Sequence, residues 1–305
     1  MKKQYPKESI KNLSELFGYK RQNFYKVVKG NKEKEKYEEE VLEIVKEIRE
    51  DQPRIGTIKL QYLINKRLKD RGIGRDRLNN LLRSKKLLIR KRKRYRPKLT
   101  DGDGNSLYED LRKGFKVERI NQLWCSDITY VDLNTKENHS YLVCITDEYS
   151  HLIVGYHFGL RMRKEEVIKA LEMALRRELP SGRSGFEERL IFHTDRGGQY
   201  KSGLVGELVG KSNMVSSMTK AGKSYENPVA ERLNGILKHE LFKKQIFDSF
   251  EQARNAVEKA IKIYNEQRPH LSCNMLTPKE AHQQNNGPLK KLWRQRKKGK
   301  KSPSP

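Results

Sequence analysis

The chain has 305 residues, and 66 Lys and Arg against 39 Asp and Glu leave a net charge of +27, an excess that calls for a polyanionic partner. With 35% hydrophobic residues and a mean hydropathy of −0.92 there is apolar material for one sizeable core, and no apolar run approaches the ~20 residues of a membrane helix, so export and membrane spanning are excluded and a cytoplasmic chain is expected. Cys125, Cys144 and Cys273 are too few and too widely spread for a disulfide framework or a four-ligand zinc site, and read as reduced and structural.

Charge divides the chain. Residues 1–120 carry 35 basic and 18 acidic side chains, 121–287 carry 23 and 21, and 288–305 carry eight basic and none acidic. A near-neutral block between basic arms suggests arms that bind phosphates and a middle that folds on its own core. At the N-terminus, Ile10, Leu13, Leu16 and Phe17, then Gly18, then Phe24, Val27 and Val28 predict a helix–turn–helix over residues 1–31. A charged helix follows with Val41, Ile44, Val45 and Ile48 on one stripe. IKLQYLINKRLKD, the turn Arg71-Gly72-Ile73-Gly74 and RDRLNNLLRSKKLL then predict a second helix–turn–helix, giving a DNA-binding domain over 37–93. Arg75, Arg77 and Asn79 lie at the N-terminal end of its last helix, where Arg and Asn read guanine and adenine bidentately. Helical hairpins with Gly turns also occur in plain helical domains; the surrounding charge tips the balance to DNA. Ten of the sixteen residues 83–98 are cationic, Arg92 and Arg94 among them. They lead into an expected basic linker, 94–118, that tracks DNA phosphates. Residues 288–305 read as a disordered basic tail.

From Trp124 the pattern changes. LWCSDITYVDL, YLVCITDEYS and HLIVGYHFGL are three β-rich runs joined by short polar turns. The helix KEEVIKALEMALRREL, the strand RLIFHTD, a helical stretch, the strand MVSSMT and the helix NPVAERLNGILKHELF follow. The order predicts an α/β core, a mixed five-stranded sheet with flanking helices.

Three acidic residues sit at informative places. Asp127 lies within the first strand. Asp195 ends LIFHT before Arg196-Gly197-Gly198, where the backbone must bend. Glu231 lies on a helix opened by Asn227 as cap and Pro228 at the first position. Val229, Leu233, Ile236 and Leu237 cluster on one side of that helix, and Glu231 shares the opposite side with Lys238. Singly, each has an ordinary reading as a turn former or a solvated helix face. Together they form an oxygen-donor set suited to hard divalent ions, and two such ions ~4 Å apart support in-line phosphoryl transfer.

The motifs NQLWCSDITYV, HTDRGGQYKS, ENPVAERLNGILKHE and YNEQRPHLSCNMLTPKEA occur in order, with 35 residues between Asp195 and Glu231 and a Lys seven beyond the Glu. The chain resembles, over nearly its whole length, the DDE transposases related to retroviral integrases, and specifically the second-frame transposases of two-frame bacterial insertion sequences. That resemblance implies an RNase H-like catalytic core over 119–287, preceded by an all-α helix–turn–helix region. In it, Asp127, Asp195 and Glu231 would be the catalytic residues and would bind two Mg2+ ions, with Mn2+ able to substitute. It also implies that Lys238 contacts DNA near the cleavage point, and the RPH segment adds Arg268 as a DNA-contacting candidate. Glu226, which stands where the family often has a small residue, is the nearby rival for the third carboxylate and is made the weaker by its place before the Asn227-Pro228 cap. Asp132 and Asp147 do not fit the spacing and are assigned support roles; His193 and His270 are assigned structural or DNA-contacting ones, since imidazole suits softer ions.

The expected activity is cleavage at the element end to expose a 3′-hydroxyl, which then attacks a second phosphodiester, both steps being in-line displacements. Expected partners are the terminal inverted repeats of an insertion sequence, target DNA, further copies of the chain on DNA, and the upstream-frame product or its fusion; the expected location is the bacterial cytoplasm and nucleoid. The alternatives are a DNA-binding regulator that has lost its chemistry and a nuclease that cuts without joining.

Overall fold

The computed structural model describes residues 5–69, 71–89, 107–179, 182–220, 227–242, 245–285, 287, 289 and 292. They divide into two compact units, one from residues 1–50 and 60–88, the other from 51–59 and 89–305.

The first unit is helical. Helix α1 (Ile10–Leu16) is capped by Ser9, whose hydroxyl accepts the Asn12 N–H at 3.0 Å. Helix α2 (Arg21–Asp51) runs unbroken through 31 residues, so the boundary expected between residues 31 and 37 falls inside a continuous helix. The only breaker there is Gly30, which costs about 1 kcal/mol against Ala. The Lys and Glu residues beyond it are good helix formers, and Lys34 lies 3.9 Å from Glu38 one turn on. Val41, Val45 and Ile48 of α2 are buried, as are Leu60 and Ile64 of α3 (Thr57–Leu68) and Leu78, Leu81 and Leu82 of α4 (Arg75–Ser84). The turn between α3 and α4 is held by Asn65, which accepts the Ile73 N–H at 2.8 Å, and by Gln61, which donates to the Ile73 carbonyl at 2.9 Å.

In the second unit, β1 (Leu123–Asp132), β2 (His139–Asp147), β3 (Ile153–Gly159), β4 (Leu190–Thr194) and β5 (Met214–Met218) form one sheet in the order β3-β2-β1-β4-β5. The first three are antiparallel neighbours; β4 and β5 are parallel, β4 pairing with β1. This is the mixed five-stranded sheet expected. Alternation along β2 builds a core on each face. Val143 and Ile145 pack with Leu171 and Leu175 of α5 (Lys164–Glu178) and Val205 and Val209 of α6 (Gly203–Lys211). Leu142 and Cys144 pack with Leu233 and Ile236 of α7 (Pro228–Ile236) and Val257 and Ile261 of α8 (Phe250–Glu266). A Cβ at Gly155 would collide with the Ala170 carbonyl, so glycine is what lets α5 lie against β3.

The helix predicted through Phe242 widens at Leu237 into a π-helical turn, Leu237–Leu241. A final helix, α9 (Pro278–Gln284), opens with a capping box between Thr277 and Glu280. The expected basic linker is folded by residue 109. Met218 N–H donates to the Glu109 carbonyl at 3.3 Å, Leu111 N–H to Ser217 Oγ at 2.9 Å, and Arg112 pairs with Glu148 at 2.9 Å. The pull comes from Leu111 and Val117, which pack beside Leu123 and Ile191.

Candidate active site

The sheet topology does what no local pattern could. In the parallel pairing of β1 and β4, Cys125 stands opposite His193. Two residues further along both chains come Asp127 and Asp195, so the two carboxylates leave the adjacent strands side by side, at the carboxyl end of β4. Asp195 is held at the bend: its Oδ1 accepts the Gly197 N–H at 2.9 Å, and a Cβ on Gly197 would stand 3.1 Å from that same oxygen.

Helix α7 brings the third carboxylate. Asn227, Glu231 and Asn234 recur at i, i+4 and i+7 and so share one face. Asn227 sits at the cap position, but its side chain makes no cap hydrogen bond; its Nδ2 donates instead to the Ser126 carbonyl on β1 at 2.9 Å. Asn234 Nδ2 donates to Asp127 Oδ2 at 2.8 Å. Two asparagines thus latch the helix to β1, one at Ser126 and one at Asp127 itself, with exposed Glu231 between them on the same stripe. Neither latch was singled out from the sequence as functional, although the polar i, i+4, i+7 spacing on an otherwise apolar helix was a signal.

The charges feel one another. Burial, the Asp195 charge and, more weakly, the Glu231 charge push the Asp127 carboxyl up to about 7, against the pull of the Ile128 N–H and the Asn234 amide. Burial also raises Asp195, opposed by the Gly197 N–H and by the cations Arg196 and Lys201. Beneath them Tyr200 is buried, 2.8 Å from Ser126 Oγ, and its hydroxyl is held far above its usual range by burial and by the charges of Asp127 and Asp195. Buried carboxyls raised in this way are ones that a cation would stabilise in the ionised form. The donor set fits a hard divalent ion: the donors are oxygens, and the Asn234 Oδ1, beside Asp127, is buried without a hydrogen-bond partner.

The remaining candidates divide. Lys238, on the π-helical turn, places its Nζ 3.5 Å from the ring centroid of exposed Tyr130. Arg75 is exposed and bonded to Asp76 at 3.0 Å. Arg77 stacks on Tyr37 at 4.8 Å, and Asn79 is half-buried on α4. Arg92, Arg94 and Glu226 lie outside the described residues. Arg268 corrects the expectation of a DNA contact. It is 1% exposed, with Nε and Nη2 on Glu240 Oε2 at 3.0 and 2.6 Å, a buried guanidinium engaged by the chain's own carboxylate. His193 is buried against Ser217 at 2.9 Å. Asp147 is fully buried and accepts from Ser150 and Asn121, a support role as expected. Asp132 pairs with His139 at 3.2 Å.

Comparison with known proteins adds a family. Residues 117–224 and 213–278 match models described as integrase core domain. The Insertion element IS600 uncharacterized 31 kDa protein of Shigella sonnei is 31% identical over 272 residues, covering 87% of this chain and 96% of that relative. Transposase InsF for insertion sequence IS3fB of Escherichia coli (strain K12) is 35% identical over 177 residues, 57% of this chain and 58% of that one. Among solved structures, the HTLV-2 integrase catalytic core domain in complex with magnesium aligns with a TM-score of 0.42 at 21% identity, covering 54% of this chain and 97% of that one.

Proposed function

The chain belongs to the integrase-core transposases of bacterial insertion sequences, DDE-type polynucleotidyl transferases, and from that premise we propose that Asp127, Asp195 and Glu231 are its catalytic carboxylates and hold two divalent ions, Mg2+ with Mn2+ as substitute. The observation that carries this reading is the parallel register of β1 and β4. It sets Asp127 beside Asp195, where the Asp127 carboxyl also feels Glu231. When bound, the ions stabilise negative charge on the attacking and leaving oxygens of the phosphodiester.

The chain's own residues do the rest. Asn234 fixes Asp127 through Oδ2 and leaves Oδ1 of that carboxylate turned to the Ile128 N–H. Arg196 and Lys201, which stabilise the charge on Asp195, add a positive field that favours a phosphate at the same place. Lys238, one turn beyond Asn234, contacts the DNA end near the scissile phosphate. In the first unit, Arg75, Arg77 and Asn79 read the terminal repeats, and Arg92 and Arg94 track the backbone. Copies of the chain assemble on the two element ends in the bacterial cytoplasm, with the upstream-frame product or its fusion as a partner. Among the described residues no helix is long and apolar enough to cross a membrane.

A strand-transfer assay with a labelled pre-cut terminal repeat, target DNA and Mg2+ tests this. The wild-type chain joins the end to target, whereas Glu231→Gln binds the end and does not join it. Joining by Glu231→Gln would remove the carboxylate assignment; cutting of uncut ends without joining by the wild-type chain would make the protein a nuclease.

A further inference from the structure

A second set of ligating side chains lies apart from the three carboxylates. A cavity of about 780 Å³ is lined by Val229, Arg232 and Ile236 of α7 together with His151 and His270. The ring nitrogens of His151 and His270 and the sulfur of Cys273 all lie within 4.8 Å of one another. His151 comes from the turn joining β2 to β3; His270 and Cys273 are three residues apart at the end of α8. The two loops are already tied, since the Cys273 thiol donates to the Ser150 carbonyl at 3.4 Å. The His270–Cys273 turn is itself closed by backbone bonds. Cys273 N–H and Met275 N–H both donate to the His270 carbonyl at 3.0 Å, and His270 N–H donates to the Leu276 carbonyl at 2.9 Å.

We propose that His151, His270 and Cys273 bind one Zn2+ ion, with its fourth position open to the cavity. Two imidazoles and a thiolate form a borderline-soft set that selects zinc over magnesium. Zn–N and Zn–S bonds of about 2.0 and 2.3 Å put tetrahedral donors about 3.5 Å apart, so the three must close by roughly 1 Å. The imidazole rings, now stacked at 4.4 Å, turn edge-on to do so. The His270 Nδ1 is buried without a hydrogen-bond partner, which is the orphaned donor atom that a metal would satisfy. Cys273 binds as the thiolate, releasing its proton to solvent. The number and spacing of the cysteines exclude a four-ligand zinc site; this three-ligand mixed site lies outside that exclusion because its histidines come from two distant loops.

The test uses the 305-residue chain, stripped with chelator and titrated with Zn2+, and with Co2+ as the spectroscopic probe. The wild-type chain retains one Zn2+ per chain through desalting, and its Co2+ form shows a thiolate-to-metal charge-transfer band. Asp127→Asn keeps both, which separates this site from the carboxylates. Cys273→Ser loses the band and binds Zn2+ at least about tenfold more weakly. His151→Asn, whose asparagine tolerates the left-handed backbone at residue 151 (φ 60°), weakens binding equally while keeping the circular dichroism of the wild-type chain. A wild-type chain that retains no Zn2+, or a Co2+ band that survives in Cys273→Ser, would reduce the cluster to an ordinary packed histidine stack. The wild-type Co2+ spectrum decides even if a variant fails to fold.

Discussion

The second unit carries two acidic groups of opposite character. Where β2 turns into β3, Asp147 accepts the Ser150 N–H and hydroxyl, both at 2.8 Å, and the Asn121 N–H at 2.9 Å. Glu148 is gripped by two Arg112 nitrogens at 2.9 Å, and Glu178 by His282 at 2.9 Å and Asn121 at 3.1 Å. Burial alone would raise Glu148 and Glu178, but Arg112 and His282 hold both below the usual carboxylate range. Burial raises both Asp127 and Asp195; the Asp195 charge adds to the rise at Asp127, while the Arg196 and Lys201 charges oppose it at Asp195 without cancelling it. Asp147, whose bonded partners are neutral, stays raised by burial, so the contrast lies in the bonded cation: Glu148 and Glu178 carry one of the chain's own and finish the fold, whereas Asp127 and Asp195 leave room for an external one.

The largest effect that would break this sorting is catalytic. Asp195→Asn should reduce strand transfer about 10³-fold or more, the loss of several kcal/mol of charge stabilisation, with thermal denaturation close to wild type. An Asp195→Asn chain that unfolds would put this carboxylate among the structural acids. Next in size is Asn234→Ala. It removes the bond to Asp127 and leaves the three carboxylates in place, and supporting partners of this kind contribute about 10- to 100-fold. The expected result is a fall in joining rate in that range with unchanged affinity for the terminal repeat; a loss of end binding instead would assign Asn234 to DNA.

Glu148→Ala should do the reverse. It leaves the half-buried Arg112 guanidinium, 23% exposed, without its carboxylate. A fully buried broken pair costs about 3–5 kcal/mol, and partial exposure brings this to about 2 kcal/mol, or a fall in Tm of about 4–8 °C in a chain of this size. Joining per folded molecule should be unchanged. Intact stability with lost joining would move Glu148 to the catalytic side.

How far these assignments were visible in the sequence depends on what each one rests on. The strands around Asp127 and Asp195 showed in their β-rich apolar runs, and the helix of Glu231 in its Asn-Pro start and apolar stripe. The side-by-side placement of Asp127 and Asp195 did not, because it arises from parallel pairing between strands more than sixty residues apart, and alternation within a strand carries no record of its neighbour. Asn227 was read by its helix-start chemistry, and the structure uses the same residue as a latch to β1. Arg268 was read by its charge; its burial is set by Glu240, 28 residues earlier, which no local pattern connects to it. The length of α2 was hidden by a lone Gly30, whose small helix cost the flanking charged residues absorb.

The smallest effect is one of stability, and it sharpens the comparison because its sign is opposite for Asp127 and Glu178. Folding shifts Asp127 from 3.8 up to about 7, so between those values the folded chain holds a proton that the unfolded chain has lost. Stability therefore falls as pH rises through this window, and the full penalty is present above pH 7. Asn mimics the protonated carboxyl and escapes the penalty. In EDTA, Asp127→Asn should melt above wild type at pH 8, by about 2–4 °C for each kcal/mol recovered, and the gap should shrink at pH 5. Saturating Mg2+ should close it at pH 8 by giving the wild-type carboxylate its cation. For Glu178, lowered by folding, the stabilisation is present above its unfolded value of 4.5 and is lost as pH falls, so Glu178→Gln should melt below wild type at pH 8 with no response to Mg2+. If both variants shift in the same direction, or if Mg2+ leaves the Asp127 gap unchanged, the distinction between self-partnered and cation-awaiting acids fails.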